Sequence, residues 1–341
     1  MKEIKSTKKI SLIKKLLIKI CRIFGYELID QSNLDFPVSN KRYGDFISLP
    51  GKKSFTLGLG QTKITRKVKS LDIIIKTCTA VQLVSQSKNR IFDREKSEYT
   101  FRAIKSLYKS AVQLKSRYET IKVRFTIIDV NSPKKDLEKI RSFNKDNKFE
   151  DNYINIDISH AINNSNTLNK NNKKIENNMS TTMASIRESF NQAIKCDDLV
   201  YLVEDDYLHK TESLTEMVLT YEKFASIVDD EVFLLSTDYP YLYKKAEDTN
   251  ILVGDSHHWR SVDESLLTFM TSKKMIMKHF DKLIEMATNE SNPFEKNLHT
   301  IYKKEKCFSP IPSLSVHCAN VNSVFGISPN IDLKKLWEEN K

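Results

Sequence analysis

Glycine is scarce in this chain, with seven residues in 341, and proline (eight) and tryptophan (two) are scarce too. No Gly-x-Gly-x-x-Gly occurs anywhere, so a dinucleotide-binding sheet would lack its phosphate turn. Pro50-Gly51-Lys52-Lys53-Ser54 has neither the leading glycine nor the Gly-Lys-Ser/Thr order of a phosphate loop, and it is excluded as one. The five cysteines, Cys21, Cys78, Cys196, Cys307 and Cys318, are odd in number, far apart and without a CxxC pair. That spacing speaks against a disulfide framework and for reduced thiols in a cytoplasmic setting. No apolar run nears the roughly 20 residues that span a bilayer. The N-terminus shows no apolar core followed by a small-residue cleavage site.

What is present describes a globular protein, 40% hydrophobic and 29% charged, with a net charge of +11. Its length allows one large domain or two modest ones. The positive charge is compatible with nucleic acid, an anionic membrane surface or phosphorylated substrates. Lysines are spread over the chain with no recognisable nucleic-acid-binding motif, so no nucleic acid partner is expected.

Residues 8–28 place Ile10, Ile13, Leu16, Leu17, Ile20, Ile23 and Phe24 at helical spacing, with Lys8, Lys9, Lys14, Lys15, Lys19 and Arg22 between them. This predicts a basic amphipathic helix. Such a helix either lies on an anionic membrane, apolar face down, or docks on its own domain. Gly25 and Pro37 end it, and residues 31–65 read as irregular.

The main domain opens on Leu71 to Thr77, a strand, followed by a long periodic helix from about Glu95 to Tyr118. Val123 to Val130 reads as a strand, Lys134 to Phe143 as a helix and Asn152 to Ile158 as a third strand. That alternation predicts a parallel, right-handed wound sheet. Residues 161–178 carry eight asparagines and almost no apolar side chain, which reads as a loop or insertion. Ser180 or Thr181 is positioned to cap the next helix, whose Met183, Ile186, Phe190, Ala193 and Ile194 form a core stripe. Beyond it, Thr211 to Val228 reads as a helix, Val232 to Thr237 and Leu266 to Met270 as strands, and Asp238 to Tyr243 as a surface loop.

Leu199 to Val203 is an apolar, β-branched run that leads straight into Glu204-Asp205-Asp206. Carboxylates at the carboxyl end of a covered strand stand where open α/β sheets place their ligands. With extended backbone throughout, Glu204 and Asp206 share one face and Asp205 takes the other. Hard oxygen donors of that kind suit Mg²⁺ or Mn²⁺, which complete their shells with water and substrate phosphates. A solvated acidic turn, or a helix N-terminus favouring negative charge, accounts for the same residues.

The wound sheet, the helix before the acidic strand and the less regular C-terminal part together resemble the GT-A fold nucleotide-sugar glycosyltransferases, most closely the family 2-like bacterial members. Glu204-Asp205-Asp206 stands where that group has its Asp-x-Asp motif, with Glu in place of the usual first Asp. The stretches Ser185 to Ser189, Val203 to Leu208, His258-Trp259-Arg260 and Ile311 to Cys318 are also similar to blocks in uncharacterised members. The resemblance spans about residues 70–320. It implies an α/β fold of GT-A type, a mostly parallel sheet flanked by helices, over residues 66–341, with a nucleotide-sugar-binding half at 66–210 and an acceptor-side half at 211–341. Residues 1–65, with the amphipathic helix, lie outside it.

By the same resemblance, Asp206 ligates a Mn²⁺ or Mg²⁺ that bridges the donor diphosphate. Glu204 supports the metal, its waters or the donor ribose and sugar, Asp205 orients neighbours, and Asp129 approaches the nucleoside. Asp129 serves equally as a turn residue before Asn131-Ser132-Pro133. His317 offers a late imidazole to the metal or diphosphate, or is structural. Arg260 could pair with a phosphate through its planar fork, while Trp259 could stack on a sugar or fill the core. Asp263 and Glu264, between His257-His258-Trp259-Arg260 and an apolar segment, are the candidates for the base that takes the acceptor's proton. Cys196 and Cys318 read as packed thiols.

The expected activity is metal-dependent transfer of a sugar from a nucleotide-diphospho-sugar to a glycan, lipid-linked or other glycoconjugate acceptor, as in polysaccharide biosynthesis. A nucleotidyltransferase on a related sheet is the alternative, although Cys78-Thr79-Ala80-Val81 supplies no glycine-rich basic loop after the first strand. A non-catalytic, membrane-associated binding module is the other.

Overall fold

The computed structural model describes residues 12–26, 63–80, 92–157, 177–244, 249–289, 291, 293–318 and 331–341. The Pro50 to Ser54 segment and nearly all of the asparagine-rich stretch lie outside these. Helix α1, Leu12–Ile23, occupies the middle of the predicted amphipathic stretch, and Gly25 turns the chain out of it with a φ of +79°. Its Leu12, Ile13 and Ile23 are 85%, 82% and 75% exposed, so little covers its apolar face.

The body follows the predicted alternation: β1 Ser70–Thr77, α2 Lys96–Arg117, β2 Lys122–Val130, α3 Lys134–Ser142, β3 Glu150–Ile156, α4 Asn177–Ala193 and β4 Leu199–Glu204. Helix α4 is already formed at Asn177, so Ser180 and Thr181 lie inside it and are not its cap. After β4 come β5 Tyr207–His209, α5 Ser213–Val228, β6 Phe233–Leu234, β7 Ile251–Val253, β8 His258–Ser261 and β9 Phe269–Ser272. The chain then runs through α6 Lys273–Lys278, α7 Phe280–Met286, α8 Lys296–Tyr302, β10 Cys307–Ile311, β11 Ser315–His317 and α9 Leu333–Glu339.

Nine strands form one sheet in the order β3-β2-β1-β4-β9-β6-β10-β8-β7, and β11 and β5 pair separately. The first four are parallel. β9 opposes both β4 and β6, and β8 opposes both β10 and β7, while β6 and β10 are parallel. Only β8 and β9 therefore run against the common direction, and the sheet is mostly parallel and flanked by helices.

Side-chain alternation along the strands feeds two apolar layers. Ile73, Ile75, Phe125, Ile127, Tyr201 and Val203 pack with Leu107, Ala111 and Leu114 of α2 and Met217 and Tyr221 of α5. On the other face, Ile74, Ile128, Val200 and Leu202 pack with Ile186 and Phe190 of α4. A strand covered on both sides has no solvated face, which is why Leu199 to Val203 reads as a continuous apolar run.

The order also locates a crevice. From β1 the chain steps outward to β2 and β3, then returns to lay β4 on the other side of β1. Ligands of open α/β sheets bind beyond the carboxyl ends of the strands where the order reverses. In this sheet that point lies between β1 and β4.

Candidate functional site

The last paired residues of β1 and β4 are Lys76 and Glu204, side by side in register, with Lys76 Nζ 3.2 Å from Glu204 Oε1. Both continue the face that carries Ile74, Val200 and Leu202. The strand stops at Glu204, and Asp205-Asp206 form a turn before β5. The divergence of the three carboxylates expected from an extended strand is thus produced by a turn.

Asp205 faces α2. One oxygen pairs with Lys96 and the other accepts from Thr100 Oγ1 at 2.8 Å and the Cys78 amide at 3.3 Å. Lys96 and Thr100 are four apart and share a helix face. With both oxygens engaged, Asp205 ties the start of α2 and the end of β1 to the acidic turn.

Asp206 faces β11. Strand β11 pairs antiparallel with β5, and His317 stands opposite Tyr207, its ring stacked on the tyrosine at 4.6 Å between centroids. Its Nε2 lies 3.4 Å from Asp206 Oδ2, and the next amide, of Cys318, donates to the Asp206 carbonyl at 2.8 Å. Burial works to strip the proton from His317, but Asp206, helped by Glu204, outweighs it and holds the imidazole above its ordinary pKa. Burial likewise favours protonated Asp206; His317, then Lys96 and Lys76, override it and hold the carboxyl well below the usual range. The buried His317 Nδ1 meets no hydrogen-bond partner among the described residues.

Among the described residues, no group of three or more His, Cys, Asp or Glu side chains is gathered to hold a metal ion. Mg²⁺ and Mn²⁺ do not need one, because one or two protein donors suffice when phosphates and water complete the shell. Asp206 Oδ2 and His317 Nε2 are spaced much as neighbouring ligands at about 2.1 Å from one ion, which stand roughly 3 Å apart. That pair of donors fits two positions of such an ion, with Glu204 on the neighbouring strand end. Asp205 is committed elsewhere.

The remaining candidates have other surroundings. Asp129, in register with Thr77 at the end of β2, is buried and accepts from Thr77 Oγ1 at 2.8 Å and from the Ser132 amide and hydroxyl at 3.0 and 2.5 Å. Those bonds knit the turn after β2 to the end of β1. Arg260 is buried, bonds Asp238 Oδ1 at 2.5 Å and lies over the Tyr243 ring at 4.1 Å. Trp259 is fully buried and donates to Glu216 at 3.0 Å, so it fills the core. Asp263 is exposed and Glu264 is half-buried, near the Tyr241 phenol. Cys196 and Cys318 are buried, and burial pushes the Cys196 thiol up to about 12, as befits a packed thiol.

The stretch Asp238 to Tyr243 is no surface loop: Asp238 and Tyr239 are buried, and a short 3₁₀ turn spans Pro240–Lys244. Tyr239 shares a 2.6 Å hydroxyl bond with Tyr207 and approaches Tyr241 at 5.8 Å between rings. A wall of tyrosines therefore continues from His317. Sequence reading missed Lys76, Lys96 and Thr100, although a lysine ending an otherwise apolar strand was a visible signal for the first.

No family model matches this sequence, and neither does any curated protein. Solved structures with a related shape include the galactosyltransferase LgtC in complex with donor and acceptor sugar analogues, 12% identical with a TM-score of 0.37 over 70% of this chain and 72% of that one. The bifunctional glycosyltransferase WbbM is 8% identical with a TM-score of 0.33 over 67% of this chain and 35% of its own. Mouse xyloside xylosyltransferase 1 is 9% identical with a TM-score of 0.33, covering 69% and 76% of the two chains. Likeness this remote bears on neither substrate nor residue roles.

Proposed function

We propose that this protein transfers a sugar from a nucleotide-diphospho-sugar to a glycan, lipid-linked or other glycoconjugate acceptor, with the aid of Mn²⁺ or Mg²⁺. The observation that supports it is the meeting of Glu204, Asp206, His317 and Lys76 at the carboxyl ends of β1 and β4, where the strand order reverses. Breaking an anomeric carbon–diphosphate bond leaves negative charge on the departing phosphate and positive character on the ring. A divalent ion on Asp206 and His317, supported by Glu204, would supply Lewis acidity toward the diphosphate. Lys76 adds a fixed ammonium beside it, and Asp205 keeps Lys96 and α2 in place without touching substrate. Residues 66–210 serve the donor and 211–341 the acceptor, with α1 resting on the anionic inner face of a membrane.

Release of nucleoside diphosphate from UDP- and GDP-sugars, with and without Mn²⁺, tests the reading. Metal-dependent release is expected, with Asp206→Asn lowering kcat about 10²-fold or more while circular dichroism stays unchanged. Unaltered turnover in that variant removes the metal role from Asp206.

A further inference from the structure

His317 stands on a ribbon that lies outside the main sheet. Among the described residues, β5 and β11 pair only with each other, and an isolated two-stranded pair is marginally stable at best. Its register sets His317 opposite Tyr207 and Val316 opposite Leu208, so alternation gives the ribbon two different faces. Tyr207 and His317 share the face from which His317 meets Asp206. On the other face, Leu208, Val316 and Cys318 join an apolar cluster that is completed by Tyr99 of α2 and by Leu333, Leu336 and Trp337 of α9.

Helix α9 owes its place to this contact. Seven residues form no stable helix alone, and Leu333, Leu336 and Trp337, spaced along one side of it, are its buried face. Trp337 lies at the centre of the cluster: Phe92 stacks on it at 4.3 Å between ring centroids, Tyr99 lies tilted at 4.6 Å, and the Arg102 guanidinium sits 4.3 Å over the ring. Arg102, itself buried, also donates to the Trp337 carbonyl, and Lys105 reaches the Lys341 carbonyl at 2.9 Å. Tyr99 Oη accepts from the Phe92 amide at 2.9 Å and donates to the Phe92 carbonyl at 2.6 Å. The same helix α2 that supplies Tyr99 and Arg102 holds Asp205 through Lys96 and Thr100. One turn further along, its Ser106 Oγ accepts from the His209 amide of β5 at 3.0 Å. Trp337 is thereby joined to both sides of the acidic turn.

We propose that Trp337 is a positioning residue of the sugar-transfer site. From the back of the β5–β11 ribbon it sets where His317 stands beside Asp206, and through Tyr99 and Arg102 it fixes the end of α2 that holds Asp205. Its influence passes through Val316, Cys318 and α2. A void behind Val316 and Cys318 would free the ribbon to shift, and two donors that share one ion bind it well only at their proper spacing. The inference rests on the reading of Asp206 and His317 as donors to a divalent ion.

Mn²⁺ binding by the full chain tests it apart from turnover. Wild type, Trp337→Ala, Trp337→Phe and Phe224→Leu are titrated with Mn²⁺ in the presence of UDP and, separately, GDP, with free Mn²⁺ followed by electron paramagnetic resonance. The temperature is one at which thermal melts show each variant folded. Phe224, packed against Trp259 and Phe308, controls for lost stability alone. The expected result is a Kd for Mn²⁺ raised about 10- to 100-fold in Trp337→Ala, largely restored in Trp337→Phe and unchanged in Phe224→Leu. Wild-type affinity in Trp337→Ala, or an equal loss in Phe224→Leu, overturns the positioning role and leaves the metal reading intact. Should Trp337→Ala not fold, Arg102→Met, which keeps the ring and removes the cation over it, decides by the same criteria. A wild type that takes up no Mn²⁺ with either nucleotide overturns the metal reading and the inference with it.

Discussion

His209 is sealed in the interior with its proton accounted for. Nε2 meets the Tyr201 hydroxyl at 2.6 Å and Nδ1 meets the Tyr207 carbonyl at 3.1 Å, a pattern that suits the neutral ring with its proton on Nδ1. Burial lowers its pKa to about 3, against a weak opposing pull from that carbonyl. The unfolded chain takes up this proton first as pH falls, so the contribution to stability is complete above about 6.5 and shrinks by about 1.4 kcal/mol per pH unit below it. The decline ends only at the folded pKa. Urea midpoints measured from neutral to acidic pH should fall less steeply in His209→Gln than in wild type; parallel slopes would show that His209 is not held neutral. The same dependence on partners separates the three adjacent carboxylates. Residue type does not say where Glu204, Asp205 and Asp206 turn, and only Lys76, Lys96 and His317, each distant in sequence, give each carboxylate its own partner.

The β7–β8 hairpin shows how an element is held by one buried charge. Glu216 of α5 accepts from Trp259 Nε1 at 3.0 Å, the Ser256 amide at 2.7 Å, the Ser256 hydroxyl at 2.6 Å and the His257 amide at 3.2 Å. The His257 imidazole, 3.5 Å from Oε2, with the Ser256 and Trp259 donors, outweighs burial and holds the carboxyl well below the usual range. The clasp leaves no room at the turn, since a Cβ on Gly254 would stand 2.4 Å from Trp259 Nε1, 2.5 Å from Thr220 Oγ1 and 2.6 Å from Glu216 Oε1. Gly254→Ala must therefore displace the clasp, at an expected cost of about 2 kcal/mol. An unchanged urea midpoint would contradict this close approach. The elements read well from sequence were those with local causes: Lys96–Arg117 and Ser213–Val228 carry helical periodicity over many turns, β1 and β4 carry apolar runs, and β2 opens on an alternating pattern. The stretch from Asp238 was misread because its polar atoms are satisfied by remote partners, Arg260 and Tyr207. Strand β6 shrinks to Phe233–Leu234 for a related reason: pairing with β9 and β10, and not propensity, sets its ends.

Taken as one body, the protein carries its apolar exposure unevenly. Leu12, Ile13, Leu16, Ile23, Phe24 and Tyr26 are each at least 60% exposed, on or just after a helix that also carries Lys15, Lys19 and Arg22. Among the described residues, no helix is long and apolar enough to cross a membrane; the proposal that α1 rests on a membrane surface has its own test. Co-sedimentation with vesicles of phosphatidylglycerol and phosphatidylcholine should be strong at low salt and weak at high salt, each basic residue near the surface contributing about 1 kcal/mol. Deleting residues 1–28 should abolish it. Equal sedimentation of the truncated chain would assign the binding elsewhere.

Local pattern was enough to specify the wound α/β sheet, the amphipathic N-terminal helix and the acidic end of the fourth strand, because periodicity and strand burial are short-range properties written directly in residue order. Which partner each of Glu204, Asp205 and Asp206 meets, and that Arg260 is engaged by Asp238, were settled by contacts across the fold. Strand β11 and helix α2 bring His317 and Lys96 to the acidic end of β4 from places far apart in the chain. No periodicity encodes that meeting, since it exists only once sheet order and packing have brought those elements together.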